Sequence, residues 1–437
     1  MRSIYNQLVH WKEENPDFIF LDYKKSYSIS DVLHEVDAIS KSLEYISDSF
    51  IGIYLTSSSD IIFLYLSCIK NKKTPILFHD SWSEDQVDYI INKYKVNHIV
   101  SEWSKRNFLN KKSTVHYLEE LINSSRGCGI SDSPKESSNP ESILFTSGST
   151  GNPKGVCLDL ENFHHSSIAW NQEINFMDTD CYVLCLPLSH ISGLSILYRA
   201  IYYKFKIQII DSYRDLNQYN GTLVSLVPSI LNRIIDDPSY FKTLSLFRGI
   251  IIGGEPAEHN LLRKCLEMDL NIFISYGMTE TCSGVSGFWI KQHPSQLFSS
   301  GKAFHSVDIS IVDNHIAIDS KMNMRGYYME RLEKKILISS DLGRFNNDFL
   351  YVEGRDADIA ISGGEKININ YVKDVLLQHK AIESVLIVAI EDKKWGKAIQ
   401  ADIVLNTNEL DSKNIKRWCE SKLPNYCIPR RIRIVTK

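Results

Sequence analysis

Residues 142–156 read S-I-L-F-T-S-G-S-T-G-N-P-K-G-V, a combination of types and spacings suited to gripping a polyphosphate. An apolar β-type run, Ile143-Leu144-Phe145, feeds Thr146, Ser147, Gly148, Ser149, Thr150 and Gly151, and the loop closes on Pro153-Lys154-Gly155. Gly148, Gly151 and Gly155 let the backbone turn and let N–H groups point inward at close range. The hydroxyls add donors and acceptors, and Lys154 adds a positive charge. This is not a Walker A loop, in which Ser or Thr directly follows the lysine to meet Mg²⁺; here Gly155 follows Lys154. A Ser/Gly-rich surface linker is the alternative. Such a linker rarely follows a buried-type strand directly and carries Pro-Lys-Gly.

Other stretches carry chemistry of their own. In Tyr276-Gly277-Met278-Thr279-Glu280-Thr281 a carboxylate stands beside a hydroxyl at a strand end, which suits Mg²⁺ at Glu280 and phosphate oxygens at Thr279; a solvated turn is the alternative. Gly253-Gly254-Glu255 permits a flat ring to approach the backbone closely, and a plain strand-to-helix turn explains it equally well. His190, in L-P-L-S-H-I-S-G, follows a buried-type strand, where an isolated histidine is commonly structural. Asp341, in S-S-D-L-G-R, and Arg355, in E-G-R-D-A-D, read singly as a turn Asp and a surface Arg. Gly363-Gly364, in I-S-G-G-E-K-I, reads by itself as a turn between strands.

These loops need a scaffold that brings them together. Buried-type strands are expected at residues 50–55, 74–78 and 96–100, with helices at 60–69 and 86–93 between them. Ser30 is the expected N-cap of a helix with apolar residues at 32, 33, 36, 39 and 43. A second alternating run has strands at 182–187, 205–210, 222–227, 246–252 and 271–275, several opening into the polar loops above. Open α/β sheets place ligands at such strand C-termini. Short β-type runs follow residue 301, and a mixed segment begins at 354–358. Residues 124–139 are polar and Ser/Gly/Pro-rich, as in a linker. The expected fold class is α/β. A large N-terminal domain, 1–353, combines doubly wound α/β subdomains with a β-rich subdomain, and a small mobile α+β C-terminal domain spans 354–437.

Bulk properties narrow the function. The chain has 437 residues, more than one ordinary core holds. A net charge of −4 argues against nucleic acid or an anionic membrane as partner. Nine scattered cysteines lack zinc spacing, which fits reduced thiols. With no apolar run of signal-peptide or membrane-span length, the expected location is cytoplasmic.

The run T-S-G-S-T-G-N-P-K-G resembles the phosphate-binding motif of the ANL superfamily of adenylate-forming enzymes, which includes acyl- and aryl-CoA synthetases. The resemblance extends to Trp395-Gly396, and M-T-E-T-C-S and I-S-G-G-E look closest to o-succinylbenzoate-CoA ligase and similar synthetases. It implies ATP and Mg²⁺, with Thr146 to Gly151 and Lys154 on phosphates, Thr279 on phosphate and Glu280 on the metal. It further implies Gly253, Gly254, Glu255, Tyr276 and Gly277 around the nucleotide, and Asp341 and Arg355 on the ribose. His190 falls beside the acyl pocket and thiol channel, and Gly363 and Gly364 fall on the pantetheine path. The implied reaction activates a small carboxylic acid as an acyl-adenylate and passes it to CoA or a phosphopantetheine thiol. The C-terminal domain would swing about 354–358 between the two steps.

The chain departs from the pattern at Ser339-Ser340, where Thr-Gly is usual, at Ala357 in the hinge, and at Ile369, where Pro is common. It stops at Lys437, just before the expected P-x-x-x-x-G-K loop. The alternative is therefore a degenerate ligase homologue with impaired adenylation, serving as a thioester-transfer or acyl-carrier-protein-binding auxiliary.

Overall fold

Helices begin where side chains can satisfy their free N–H groups, and the first corrected boundary shows this. Ser28, not Ser30, caps the helix Ile29–Leu43: its hydroxyl accepts from the Asp31 N–H at 3.1 Å, while the Asp31 carboxylate accepts from the Ser28 N–H at 2.9 Å. Val32, Leu33, Val36, Ile39 and Leu43 are buried, as their spacing requires. The structure is a computed structural model. It describes residues 2–435 except 57–58, 109–112, 124–138, 147–152, 331–335, 356–358, 363–364, 393–395 and 407–409. Side chains at 106–108, 123, 359, 361–362, 365–366 and 396–397 are likewise left undescribed. The expected linker thus falls largely outside the described residues.

Two large sheets carry the N-terminal part. One runs Gly326–Tyr327, Lys154–Leu158, Ser142–Thr146, Thr74–Leu77, Phe50–Tyr54, His98–Ser101, Thr114–Tyr117. Its core is parallel, and Ser142–Thr146 also forms an antiparallel hairpin with Lys154–Leu158 in which Thr146 faces Lys154. The other sheet has a parallel core of Ile272–Met278, Gly249–Ile252, Leu223–Leu226, Cys181–Leu184 and Lys206–Ile209. The expected strand at 246–252 is shorter, because Leu246 ends the helix Pro238–Leu246; Pro228 opens the helix Pro228–Ile234 as well as ending a strand.

Tyr276-Gly277-Met278 is not loop. It continues Ile272–Met278 and pairs antiparallel with Ser283–Trp289, with a bulge between Tyr276 and Gly277. Two facing glycines allow it: a Cβ at Gly277 would collide with the Ser283 carbonyl and the Gly284 Cα. A four-stranded β unit follows, Asp308–Val312, His315–Asp319, Leu337–Asn346 and Phe349–Arg355. Asp341 therefore sits within a strand, directly across from Arg355, rather than in a turn.

Residues after 365 gather their own apolar cluster. Ile382–Asp392, Gly396–Leu405 and Arg431–Ile434 form a sheet, with the helices Ile369–Leu377 and Ser412–Lys422 contributing Val372, Leu376, Ile415 and Cys419. This part meets the rest through the Asn368 amide, which donates to the Glu353 carbonyl, and through Lys373, which lies 4.0 Å from Glu258. Among the described residues the cysteines are free thiols and no helix is long and apolar enough to cross a membrane.

Glu141, at the root of the hairpin of Ser142–Thr146 and Lys154–Leu158, is half-buried, with its carboxyl turned inward. Tyr198 donates to it at 3.2 Å, and the Tyr65 and Tyr198 hydroxyls are 2.8 Å apart. Burial pushes the Glu141 carboxyl up to about 7 from an ordinary 4.5. Between those two values the folded chain holds a proton that the unfolded chain releases, so stability falls as pH rises through that window. At about 1.4 kcal/mol per pKa unit, the loss is on the order of 3 kcal/mol. Glu141→Gln should remove this dependence: melting curves from pH 4.5 to 8 should be flatter for the variant than for the parent, and parallel curves would contradict the assignment.

Candidate active site

The hairpin of Ser142–Thr146 and Lys154–Leu158, the Thr279–Thr281 turn and the β unit converge at one end of the sheets. Lys154 opens its strand and holds its ammonium 4.9 Å from the centre of the Tyr327 ring. Tyr327 lies on the neighbouring short strand, beside Val156, and its hydroxyl donates to Glu280 Oε1 at 3.0 Å. The Glu280 carbonyl is held in turn by the Met324 N–H at 2.7 Å. Cation, ring and carboxylate thus form one row. Burial, and then the Glu280 charge, push the Tyr327 hydroxyl's pKa up, so Tyr327 remains a proton donor that aims the carboxylate. Of the expected cradle, Thr146 and Lys154 face each other across the hairpin; Ser147, Gly148, Ser149, Thr150 and Gly151 lie outside the described residues.

A second constellation forms around Asp341. Arg355 Nε donates to Oδ1 at 2.9 Å, and the Tyr276 hydroxyl donates to Oδ2 at 2.8 Å. Each carboxylate oxygen keeps a second lone pair for a ligand hydroxyl. Ser339, one of the two departures before Asp341, accepts from the Asp341 N–H at 3.1 Å and so orients it. Burial, followed by the Asp341 charge, pushes the Tyr276 hydroxyl's pKa up.

Gly253 and Gly254 line a cavity of about 110 Å³ together with Gly277, Met278 and the apolar Leu186 and Ile191. Gly254 has φ +82°, a conformation that favours glycine. Glu255 is exposed and accepts from the Ser229 N–H at 3.2 Å, which serves the start of the helix Pro228–Ile234.

His190 occupies the N-cap position of the helix Ile191–Tyr203, whose first turn walls that cavity. His190 is exposed, and its ring packs 4.4 Å from the His79 ring. Desolvation in the cleft, then His79, push its pKa down to about 4, leaving a neutral imidazole near pH 7. Gly363 and Gly364 lie outside the described residues, between the paired strands Ile359–Ser362 and Glu365–Asn368.

Arg199, also a cavity wall, escaped sequence reasoning although it stands alone among apolar residues in S-I-L-Y-R-A-I-Y-Y. It is only 2% exposed, donates to Ser283 Oγ at 2.8 Å, and lies 4.2 Å over the Trp170 ring. Burial pulls its pKa down to about 10, so it stays charged. Tyr327 and Trp170 were missed as well, with no local signal to mark them.

The model of the AMP-binding enzyme family matches residues 8–328, and that of the AMP-binding enzyme C-terminal domain matches 372–437. The chain belongs to the AMP-binding enzyme family. Its curated relatives include the 2-succinylbenzoate–CoA ligase of Bacillus cereus strain Q1, 30% identical over 312 residues, covering 66% of this chain and 65% of the relative. The ligase of the same name from Bacillus subtilis strain 168 is 30% identical over 318 residues, covering 68% and 65%. The match therefore spans just under two thirds of these relatives' length. Among solved structures, o-succinylbenzoate CoA synthetase from Bacillus subtilis, in complex with its acyl-adenylate intermediate, superposes with a TM-score of 0.84 at 24% identity, covering 99% of this chain and 94% of that one. ATP-bound MatB from Rhodopseudomonas palustris gives 0.84 at 17%, covering 99% and 95%. The AMP-binding fold, with a large N-terminal part and a smaller C-terminal one, thus extends over the whole chain.

Proposed function

We propose that the chain is an ATP-dependent acid–thiol ligase that activates a carboxylic acid as its adenylate and transfers the acyl group to CoA. The observation that carries this is the Lys154–Tyr327–Glu280 row standing beside the Asp341–Tyr276–Arg355 group. A cation and an aimed carboxylate suit a polyphosphate with its Mg²⁺, and a strand-held carboxylate with spare lone pairs suits vicinal ribose hydroxyls. Among the described residues no cluster of three metal-binding side chains occurs. Glu280 together with phosphate oxygens would therefore hold Mg²⁺, which neutralises charge on the leaving pyrophosphate.

An oxygen of the acid bonds to the α-phosphorus and pyrophosphate leaves. The thiol then bonds to the acyl carbon, AMP leaves, and the thiol proton passes to solvent. Lys154 and Thr279 would meet charge as it shifts onto the departing phosphates. Neutral His190, at the cavity rim, would neither repel nor trap the incoming thiol. Residues 1–353 and 354–437 act as two bodies in this scheme. CoA is the acceptor named for the relatives, in preference to a carrier-protein pantetheine.

The acid carries a second anionic group. Arg199 is a buried cation in the cavity with no carboxylate partner among the described residues, and the relatives are named for an acid with two carboxylates. Supplied with ATP, Mg²⁺, CoA and 2-succinylbenzoate, the protein should release pyrophosphate and AMP in equal amounts as the thioester forms. Absence of acid-dependent pyrophosphate across 2-succinylbenzoate and a panel of aryl and fatty acids would overturn the reading.

A further inference from the structure

One side chain holds the backbone on both sides of Lys154. The Tyr94 hydroxyl donates to the Pro153 carbonyl at 3.0 Å and accepts from the Gly155 N–H at 3.4 Å. A hydroxyl can do both at once, since it carries one donor and two lone pairs. Tyr94 is the last residue of the helix Glu84–Tyr94 and is 4% exposed, and Pro153 and Gly155 are buried with it.

The place of that hydroxyl in the sheet explains what it does. Successive residues of a strand turn their N–H and C=O groups to opposite edges, so the Pro153 carbonyl and the Gly155 N–H share the edge that faces away from Ser142–Thr146. The strand Gly326–Tyr327 covers that edge at Cys157 and Val156, and the Tyr328 N–H donates to the Gly155 carbonyl at 2.6 Å. There the covering strand ends: Met329 takes φ +68°, and the Glu330 N–H closes a turn on the Tyr327 carbonyl at 2.8 Å. The Tyr94 hydroxyl meets the next donor and acceptor along the edge, as one more residue of strand would have done. Its ring is fixed by Phe145, 5.2 Å away on the strand facing Gly155, and by Tyr328, 5.6 Å away. Tyr94 thus touches both arms of the hairpin and the neighbour of Tyr327, whose ring lies 4.9 Å from the Lys154 ammonium.

We propose that Tyr94 is a positioning residue for polyphosphate binding: its hydroxyl fixes the Lys154 backbone where the strand pairing runs out, and so holds the ammonium in the row that meets the phosphates of ATP. This rests on the reading of that row as the polyphosphate contact. Tyr94 touches no reacting atom in this scheme and acts through Lys154. A lysine stem is flexible, and its charge contact gains only what is left after the entropy of fixing it has been met. Anchoring the backbone removes part of that cost before the ligand arrives.

Calorimetry on the full chain with Mg·ATP and with AMP, in the absence of any acid, tests this without turnover. Tyr94→Phe keeps the ring against Phe145 and Tyr328 and removes only the hydroxyl. It should weaken Mg·ATP binding about tenfold and leave AMP binding within about twofold, because AMP has no pyrophosphate for Lys154 to meet. In a Lys154→Met background the same substitution should change Mg·ATP binding less than about twofold, since residues that act as one unit are not additive. A purely structural hydroxyl would weaken both nucleotides equally, or weaken ATP by the same factor with and without Lys154, and either result overturns the proposal. So does unchanged Mg·ATP binding by Tyr94→Phe. Should that variant fail to fold, hydrogen exchange at the Gly155 amide of the wild type decides: coupling is reciprocal, so Mg·ATP should slow it and AMP should not. A rate indifferent to Mg·ATP, or slowed equally by both nucleotides, overturns the proposal. Acid-dependent pyrophosphate release separates the two levels. Release together with Tyr94-independent ATP binding overturns this inference alone. Tyr94-dependent ATP binding without release for any acid of the panel overturns the ligase reading alone.

Discussion

Glu280→Gln should lower acid-dependent pyrophosphate release at least about a hundredfold while leaving the melting temperature and AMP binding unchanged. Glutamine has almost the shape of glutamate and can still accept from the Tyr327 hydroxyl, which lies 3.0 Å from Oε1. The Met324 N–H bonds the backbone carbonyl, not the side chain, so the turn stays anchored. What is lost is the negative charge that would hold Mg²⁺ against the phosphates, and hard divalent cations depend on charged oxygen ligands. AMP lacks the pyrophosphate, so its binding should be indifferent to the change. Near-parental pyrophosphate release by the variant would remove Glu280 from the chemistry, and lost AMP binding would mean that the substitution had disturbed the fold.

Arg199→Met should raise the KM for a dicarboxylic acid about a hundredfold or more, with a smaller change in kcat and no loss of stability. A buried guanidinium without a carboxylate partner is expensive to hold in an apolar interior, and burial already pulls its pKa down to about 10. Methionine fills much of the same volume and can still lie against the Trp170 ring. Removing the charge therefore removes a cost of folding, and the melting temperature should hold or rise. Buried charged groups replaced by apolar residues of similar size commonly leave stability unchanged or improved. A protein that keeps such an arginine does so for binding, at the expense of stability. A marked fall in melting temperature with unchanged KM would assign Arg199 a structural role instead.

The α/β architecture was legible because its signals are local. Buried strands such as Phe50–Tyr54 and Thr74–Leu77 declare themselves by continuous apolar runs, and helices such as Ile29–Leu43 by the recurrence of apolar residues along one face. Errors came at boundaries, where a competing interaction decided. Ser28 displaced Ser30 as cap because Asp31 stands three residues after Ser28 and completes a reciprocal pair. Tyr276 to Met278 stayed in a strand because Gly277 and Gly284 face one another and let the hairpin close.

The site divided along the same line. By itself the sequence determined the types of group available: a Ser/Thr/Gly loop closing on Lys154, a Thr-Glu pair at 279–280, and Asp341 and Arg355, because a motif's residue types and short spacings are written in the chain. Only the tertiary structure decided which of them meet. Asp341 joins Tyr276 and Arg355 because two antiparallel strands place it across from Arg355 while a strand of another sheet brings up Tyr276. Lys154 and Glu280 join through Tyr327, a residue with no distinguishing neighbourhood in the sequence. Arg199, Trp170 and Ser283 come together from three elements to surround one cavity. Contacts between residues so far apart along the chain are settled by how sheets and helices pack, since packing optimises total burial and leaves no mark on the local pattern of any single segment.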